Sequence, residues 1–224
     1  MIEWIAWFSL AVAFASAAFI AIDELRHPQK MWIMNVVWPV TALYLSVIAV
    51  WWYFRVGRRM AKEGPAMKMN MDAAAPTFGQ SALAASHCGA GCVLADIAIE
   101  FAAFGLGLTI AGSPLIASYV WDFVGAWALG IGFQYFTIKP MRNLTPAAGI
   151  VSAIKADTLS ITAFQVGMYA WMALVRFRLF PRPHLHPDRA AFWLMMQIAM
   201  VCGFLTSIPM NHWLVSKGWK ERMG

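Results

Sequence analysis

Six apolar segments of about 20 residues or more, each poor in charged side chains, follow one another along the 224-residue chain. An apolar helix needs about 20 residues to cross the hydrocarbon core of a bilayer. Backbone groups in lipid must be paired within the segment, so these spans are expected to be helices. The sequence therefore predicts an all-α polytopic membrane protein, a single domain over residues 1–224 built as a bundle of about six transmembrane helices. The expected spans are 4–22, 31–54, 81–111, 118–138, 146–175 and 190–215.

The balance of charge agrees with a membrane protein. Only 12% of the residues are charged and 61% are hydrophobic, whereas a soluble domain carries about 25% charged residues. The net charge of +6 comes from Lys and Arg beside helix ends, where they fix membrane orientation. Membrane lipid is thus an expected partner and nucleic acid is not. With six spans, the larger basic set places both termini in the cytoplasm, at a prokaryotic cytoplasmic (inner) membrane.

The third segment contains an unusual polar stripe. Residues 86–101 read Ser-His-Cys-Gly-Ala-Gly-Cys-Val-Leu-Ala-Asp-Ile-Ala-Ile-Glu-Phe, so Cys88, Cys92, Asp96 and Glu100 recur at every fourth position. On an α-helix these four side chains form one gently winding stripe about 18 Å long. Acids inside a membrane are costly and usually mark a metal, proton or substrate pathway. The stripe indicates a route for a cation.

A soft-metal site is expected at the start of this stripe. Thiolates and imidazole favour Cu(I), zinc or iron–sulfur chemistry over magnesium or calcium. His87, Cys88, Cys92 and Asp96 are the candidate ligands, and two thiols suit the low coordination number of Cu(I). The alternative is that both cysteines are small buried hydrophobic residues.

A second set of polar residues extends from the third into the fifth segment. Glu100, Lys155, Asp157, Ser160 and Gln165 are expected to form a polar relay inside the membrane. Asp157 and Gln165, eight residues apart, share a helix face. The acids outnumber the lysine, which leaves negative charge for a cation. Alternatively Lys155 neutralises Asp157 or Glu100, and the network only holds the helices together.

The methionines of one loop also indicate that the bound cation is a soft one. The long basic loop over residues 57–80 contains Met67, Met69 and Met71 at alternating positions. Thioethers select Cu(I) when several converge. These three residues are therefore expected to be auxiliary ligands that collect metal before its capture.

Several other functions lack the residues they need. The histidines His27, His184 and His186 fall in loops, so the facing axial ligands of a membrane haem are missing. There is no glycine-rich phosphate loop and hence no expected nucleotide, and no serine-hydrolase or zinc-protease motif. The sequence predicts a protein that is not an enzyme.

Three runs of residues resemble one prokaryotic integral-membrane family, known only as domain of unknown function 4396. They are residues 86–96, residues 156–160 with Gly167 and Met168 beyond, and residues 209–211 with 213–215. The resemblance extends from about the second span to the C-terminus and implies a membrane protein without assigning an activity. Carried over by position, the family's characteristic polar residues are His87, Cys88, Cys92, Asp96, Asp157 and Ser160.

The sequence therefore favours a protein that binds, and transports or delivers, a soft transition metal, with copper as Cu(I) the leading candidate. The second hypothesis is a non-catalytic accessory or assembly subunit of a larger membrane complex, or a homo-oligomer. A membrane oxidoreductase that uses Cys88 and Cys92 as a dithiol ranks last, because two cysteines four apart on a helix are near the limit of disulfide geometry.

Overall fold

The computed structural model describes residues 1–61 and 75–222. Within these ranges the chain is helical, with isolated β-bridges but no strand. Five helices are long and apolar enough to cross a membrane, which confirms an all-α polytopic bundle. The helices are α1 (Ile2–Arg26), α2 (Met34–Leu45), α3 (Val47–Arg55), α4 (Phe78–Leu106), α5 (Pro114–Arg142), α6 (Pro146–Leu174) and α7 (Ala190–Ser216), with a 3₁₀ turn at Gly57–Met60 and a π turn at Val175–Leu179.

Helix starts in the bundle are specified locally. Thr77 forms a capping box with Gln80, in which each side chain accepts a hydrogen bond from the other residue's backbone N–H. Ser113 and Thr145 cap α5 and α6, and each is followed by a proline in the first helical turn. Proline there has no N–H to leave unpaired, and its fixed φ suits the helix. These caps set where the polar positions of α4, α5 and α6 begin.

Helices α4 to α7 pack as antiparallel neighbours. Ser81 at the start of α4 contacts His212 near the end of α7, and Phe101 near the end of α4 stacks on Trp193 near the start of α7. Further hydrogen bonds that agree with antiparallel packing join Glu100 to Ser118, Trp127 to Thr158 and Ser160 to Asn211. The starts of α4 and α6 therefore lie with the ends of α5 and α7, at what we call the Lys220 end of the bundle.

The expected second span, over residues 31–54, is not a single crossing. It consists of the short helices α2 and α3, which meet at Ser46, a residue with a positive φ of 48°. The end of α3 returns to the end of α1, where the hydroxyl of Tyr53 and Nη1 of Arg58 donate hydrogen bonds to the carboxylate of Asp23. Hydropathy alone could not separate this re-entrant hairpin from a crossing, because both are apolar over the same length.

The hairpin changes the position of the chain ends. Ser9 near the start of α1 donates a hydrogen bond to Gln197 near the start of α7, so these two helices run in the same direction. The end of α1 then lies at the Lys220 end, together with both ends of the hairpin. The expectation of two termini on one side rested on six crossings. Five crossings put Met1 and the end of α7 at opposite ends of the bundle.

Candidate functional site in the bundle interior

A buried polar cluster joins helices α4 and α6 to the C-terminal segment. Nζ of Lys220 donates hydrogen bonds to Sγ of Cys88 at 3.0 Å, to Oδ1 of Asp157 at 3.1 Å and to Oγ of Ser160 at 3.3 Å. Sγ of Cys88 also lies 3.0 Å from Oδ1 of Asp157 and 2.7 Å from Oγ of Ser160. We call Cys88, Asp157, Ser160 and Lys220 the lysine cluster. Cys88 lies about 15 Å past the first residue of α4, so the cluster is well inside the bundle.

Lys220 reaches this depth because the chain turns back after α7. Gly218 adopts a positive φ of 68°, which glycine reaches without strain. The N–H groups of Trp219 and Lys220 then donate to the carbonyl of Leu214 at 3.0 and 3.3 Å, as in a helix C-cap. This turn directs the Lys220 side chain into the bundle, where its exposed fraction is 0%.

The charges in the cluster hold the lysine in its ammonium form. Burial by itself lowers the pKa of Lys220, but Cys88 and Asp157 raise it, and the resulting pKa lies above the ordinary value for lysine. The carboxyl group of Asp157 is 2% exposed. A carboxylate so far from water is tolerated when it is paired and hydrogen-bonded, and Lys220 meets that need here.

A chain of hydrogen bonds extends the cluster into α7. Oγ of Ser160 donates to Oδ1 of Asn211 at 2.9 Å, and Nδ2 of Asn211 donates to the backbone carbonyl of Ser207 at 2.8 Å. These three residues are fully buried. The Ser160 hydroxyl is thereby oriented, with its oxygen free to accept from Lys220.

Close backbone packing makes room for the cluster. A Cβ at Gly130 of α5 would lie 2.5 Å from Oδ2 of Asp157, so only glycine fits there without displacing the carboxylate. On another side, a Cβ at Gly89 would lie 2.7 Å from the hydroxyl oxygen of Tyr44, at the tip of the hairpin. The hairpin therefore ends against α4 beside Cys88.

The predicted stripe on α4 does face the interior. Cys88, Cys92 and Asp96 are 0% exposed and Glu100 is 8% exposed. Both cysteines are free thiols. The ring nitrogens of His87 are buried and have no hydrogen-bond partner among the described residues. In the part of the chain that the structure describes, no three His, Cys, Asp or Glu side chains converge as ligands of one metal ion.

The predicted relay divides into two groups. Asp157 and Ser160 belong to the lysine cluster, whereas Glu100 accepts a hydrogen bond from Oγ of Ser118 of α5 at 3.3 Å and lines a cavity together with Asp122 of the same helix. Asp96 lies close enough to Glu100 and Asp122 for charges on these side chains to interact. We call Asp96, Glu100 and Asp122 the acidic cluster. Neighbouring acids inside a membrane mark proton or cation pathways, so this cluster is a candidate carrier of protons towards the opposite end of the bundle.

Two members of the predicted relay lie elsewhere. Nζ of Lys155 lies 4.1 Å from the ring centroid of Trp219, so the lysine beside Asp157 is Lys220 instead. Gln165 is buried, and its amide has no partner among the described residues. The predicted auxiliary ligands Met67, Met69 and Met71 lie outside the described residues.

Sequence reasoning did not identify Lys220, Asn211 or Asp122 as site residues. In the sequence Lys220 is one of several basic residues after the last apolar segment, and nothing distinguishes it from Lys217. Asp122 carried a usable signal, because it is an acid within an apolar span. Asn211 occurs in one of the runs that resemble the family, but no chemistry pointed to it.

Comparison with known proteins identifies a family. A family model described as "Domain of unknown function (DUF4396)" matches residues 77–220. The matched region begins at the cap of α4 and ends at Lys220, so it contains both buried clusters. No curated protein and no solved structure matches the chain.

Proposed function

Since the chain belongs to the DUF4396 family, whose description assigns no activity, we propose from the geometry of the buried clusters that the protein carries a small cation across the membrane. A soft cation, Cu(I), is the favoured cargo. The membrane is that of a prokaryotic cell, the cytoplasmic (inner) membrane.

This proposal rests on the groups that surround the Lys220 ammonium. A thiol sulfur, a carboxylate oxygen and a hydroxyl oxygen lie within 3.0 to 3.3 Å of one positively charged nitrogen. The three groups already enclose a cation, and that cation is attached to the chain by a short turn. A free ion of the same charge could replace the ammonium among the same donors.

The thiol favours a soft ion among the possible cations. Sulfur ligands select Cu(I) over magnesium or calcium. Cys92 follows Cys88 by one helical turn and is fully buried, so a second thiol comes next on the same face. The protein would hold such an ion at Cys88 and pass it towards Cys92.

Exchange with Lys220 explains how the site could remain stable without cargo. A buried carboxylate left without a positive partner costs several kcal/mol. In the conformation described here, Lys220 neutralises Asp157. When cargo binds, the segment that begins at Gly218 withdraws the ammonium, and the ion takes over the neutralising role. Cargo can favour the withdrawn conformation only if it binds that conformation more tightly than the conformation described here.

The acidic cluster supports movement across the bundle. Asp96 and Glu100 continue the Cys88–Cys92 face of α4 towards the opposite end. Carboxyl groups that carry protons can release them to water as an arriving cation takes their place. The two clusters, with Cys92 between them, offer polar groups over about 18 Å of α4, consistent with exchange of cargo for protons.

The distribution of basic residues favours a cytoplasmic Lys220 end. Arg26, Lys30, Arg55, Arg58, Arg59, Lys139, Lys217 and Arg222 lie at this end, while Arg176, Arg178, Arg182 and Arg189 lie at the other. The more basic end faces the cytoplasm. Cargo would then enter from the cytoplasm and leave by export. Met67, Met69 and Met71 belong to the segment between residues 61 and 75, where they would collect metal.

Copper titration of the purified protein tests this function. Wild type, Cys88→Ser and Lys220→Met are titrated anaerobically with Cu(I) against a competing chelator, and Lys217→Met is the matched control. We expect near-unit binding in wild type and tighter binding in Lys220→Met, because the competing ammonium is gone. Binding is expected to be lost in Cys88→Ser and unchanged in Lys217→Met. Copper binding that is absent, or that survives Cys88→Ser, would contradict the proposal.

A second candidate is a non-catalytic accessory subunit of a membrane complex. It is favoured by the pairing of Lys220 with Asp157, because the cluster is neutralised without any ligand. In that case the cluster would only fix the C-terminal segment on the bundle. Co-purification of a partner in fixed proportion, together with no Cu(I) binding by any variant, would favour this candidate over transport.

A further inference from the structure

A cavity opens on the lipid-facing side of the bundle, between α1, the hairpin tip, α4 and α7. It has a volume of about 410 Å³ and is lined mainly by apolar side chains, among them Trp7, Phe14, Val93, Ile97 and Trp193. We call it the lateral cavity. Its volume falls in the range of about 300 to 1,000 Å³ that is typical of small-molecule sites. The lysine cluster does not contribute to its walls.

One acid of the acidic cluster lines this apolar cavity. Asp96 is 0% exposed, and neither carboxyl oxygen has a hydrogen-bond partner among the described residues. A polar group that is buried without a partner loses its interactions with water and destabilises the protein. A ligand in the cavity that brought a positive or hydrogen-donating group to Asp96 would remove that destabilisation.

The rest of the wall suits the body of such a ligand. Trp7 and Phe14 are each 62% exposed at the rim, where the ligand would enter from the bilayer. Phe101 and Trp193 also contribute aromatic rings, and ring faces attract cations, most strongly where water is excluded. At the mouth, Arg189 is paired with Asp188, so the entrance carries no uncompensated positive charge.

We propose that the lateral cavity binds a lipophilic monocation, a quaternary ammonium or phosphonium with an apolar body, whose charge faces Asp96. This site shares Asp96 with the acidic cluster of the proposed cargo route, contains no member of the lysine cluster, and would admit its ligand from the bilayer. Its ligand differs from an acyl chain of a lipid, because an acyl chain offers nothing to the carboxyl group.

Binding of radiolabelled tetraphenylphosphonium to the full-length protein in lipid nanodiscs tests the proposal. We expect saturable binding to wild type and at least tenfold weaker binding to Asp96→Asn, which keeps the shape of the side chain. Glu3→Gln removes a carboxylate near the start of α1, outside the cavity, and should bind like wild type. The anion tetraphenylborate should not displace the probe.

A second variant keeps the test decisive if Asp96→Asn does not fold. Leu10 lines the cavity from the lipid side, and Leu10→Trp should fill it and weaken binding while Asp96 stays in place. Cys88→Ser should bind the probe normally, so failure of the copper site and failure of this site can be told apart. Unchanged binding in both cavity variants, or equal binding of tetraphenylborate, would overturn the proposal and favour an acyl chain as the occupant.

Discussion

The ammonium of Lys220 lies 3.1 Å from the carboxylate of Asp157, and the two side chains are 0% and 2% exposed. The lysine comes from the segment after α7 and the aspartate from the first half of α6. This ion pair therefore ties the C-terminal segment to the centre of the bundle. We expect that breaking it changes both the stability of the protein and access to Cys88.

Lys220→Met is expected to destabilise the protein strongly. Removing one partner of a buried ion pair leaves the other charge uncompensated, at a cost of about 3–5 kcal/mol. The free energy of unfolding in a detergent-mixture titration measures this effect. Lys217→Met, in the same segment, should change it by less than about 0.5 kcal/mol, as most surface substitutions do.

The double variant Lys220→Met/Asp157→Asn separates charge from packing. Removing both charges leaves no buried unpaired ion, so much of the lost stability should return. If the double variant is as unstable as Lys220→Met alone, the ion pair is not the source of the effect. If both are as stable as wild type, Asp157 is uncharged in the folded protein.

Stability should also depend on alkaline pH through Lys220. Burial lowers the pKa of Lys220, but the neighbouring Cys88 and Asp157 raise it by more. In the folded protein this pKa therefore lies above the ordinary value for lysine. A raised lysine pKa stabilises the fold fully below the unfolded-state value of about 10.4, and that stabilisation is lost as pH rises through the folded-state value. Wild type should therefore have a larger free energy of unfolding than Lys220→Met from pH 7 to about pH 10. The difference between the two should shrink at higher pH. A difference that vanishes near neutral pH would contradict a charged Lys220.

Much of the site could be predicted, but its central cation could not. Four-residue spacing places Cys88, Cys92 and Asp96 on one inward face, because a helix returns to nearly the same side after four residues. The approach of Lys220 depends on a turn at Gly218 and on the packing of α7 against α6, which local sequence does not encode. A basic residue near a terminus looks like any other topology signal. The hairpin was missed for a similar reason, since the turn at Ser46 has no distinctive residue.

Gly130→Ala is expected to disturb the lysine cluster from the side of α5. The new Cβ would lie 2.5 Å from Oδ2 of Asp157 and would also overlap the side chain of Ile161. Overpacking of this kind costs about 1–3 kcal/mol. Gly132→Ala is the matched control, because a Cβ there meets nothing within 4 Å. Thermal unfolding of both variants checks the prediction, which is wrong if the two melt together.

The hairpin predicts an odd number of crossings. The N-terminus should therefore face the periplasm and the C-terminus the cytoplasm, given the basic Lys220 end. Reporter fusions at each terminus, one active only in the cytoplasm and one only in the periplasm, measure this. Fusions after residues 29 and 61 should report the same side, because Gln29 and Ala61 pair in a β-bridge. Opposite reports from these two fusions would restore a second crossing over residues 31–54.

Access to Cys88 should depend on the C-terminal segment. In wild type the Cys88 thiol is fully buried and is covered by Lys220 from the Lys220 end of the bundle. In a Cys92→Ser/Cys202→Ser background, a small positively charged thiol reagent added to inside-out vesicles should label Cys88 slowly. Truncation after Gly218 removes Lys220 and the ring of Trp219, so labelling should accelerate at least tenfold. Leaving the chain intact but replacing Lys217 with Met should not change the rate. Equal rates in truncated and intact protein would show that the segment does not cover the thiol, and exchange of Lys220 for a cation would lose its physical basis.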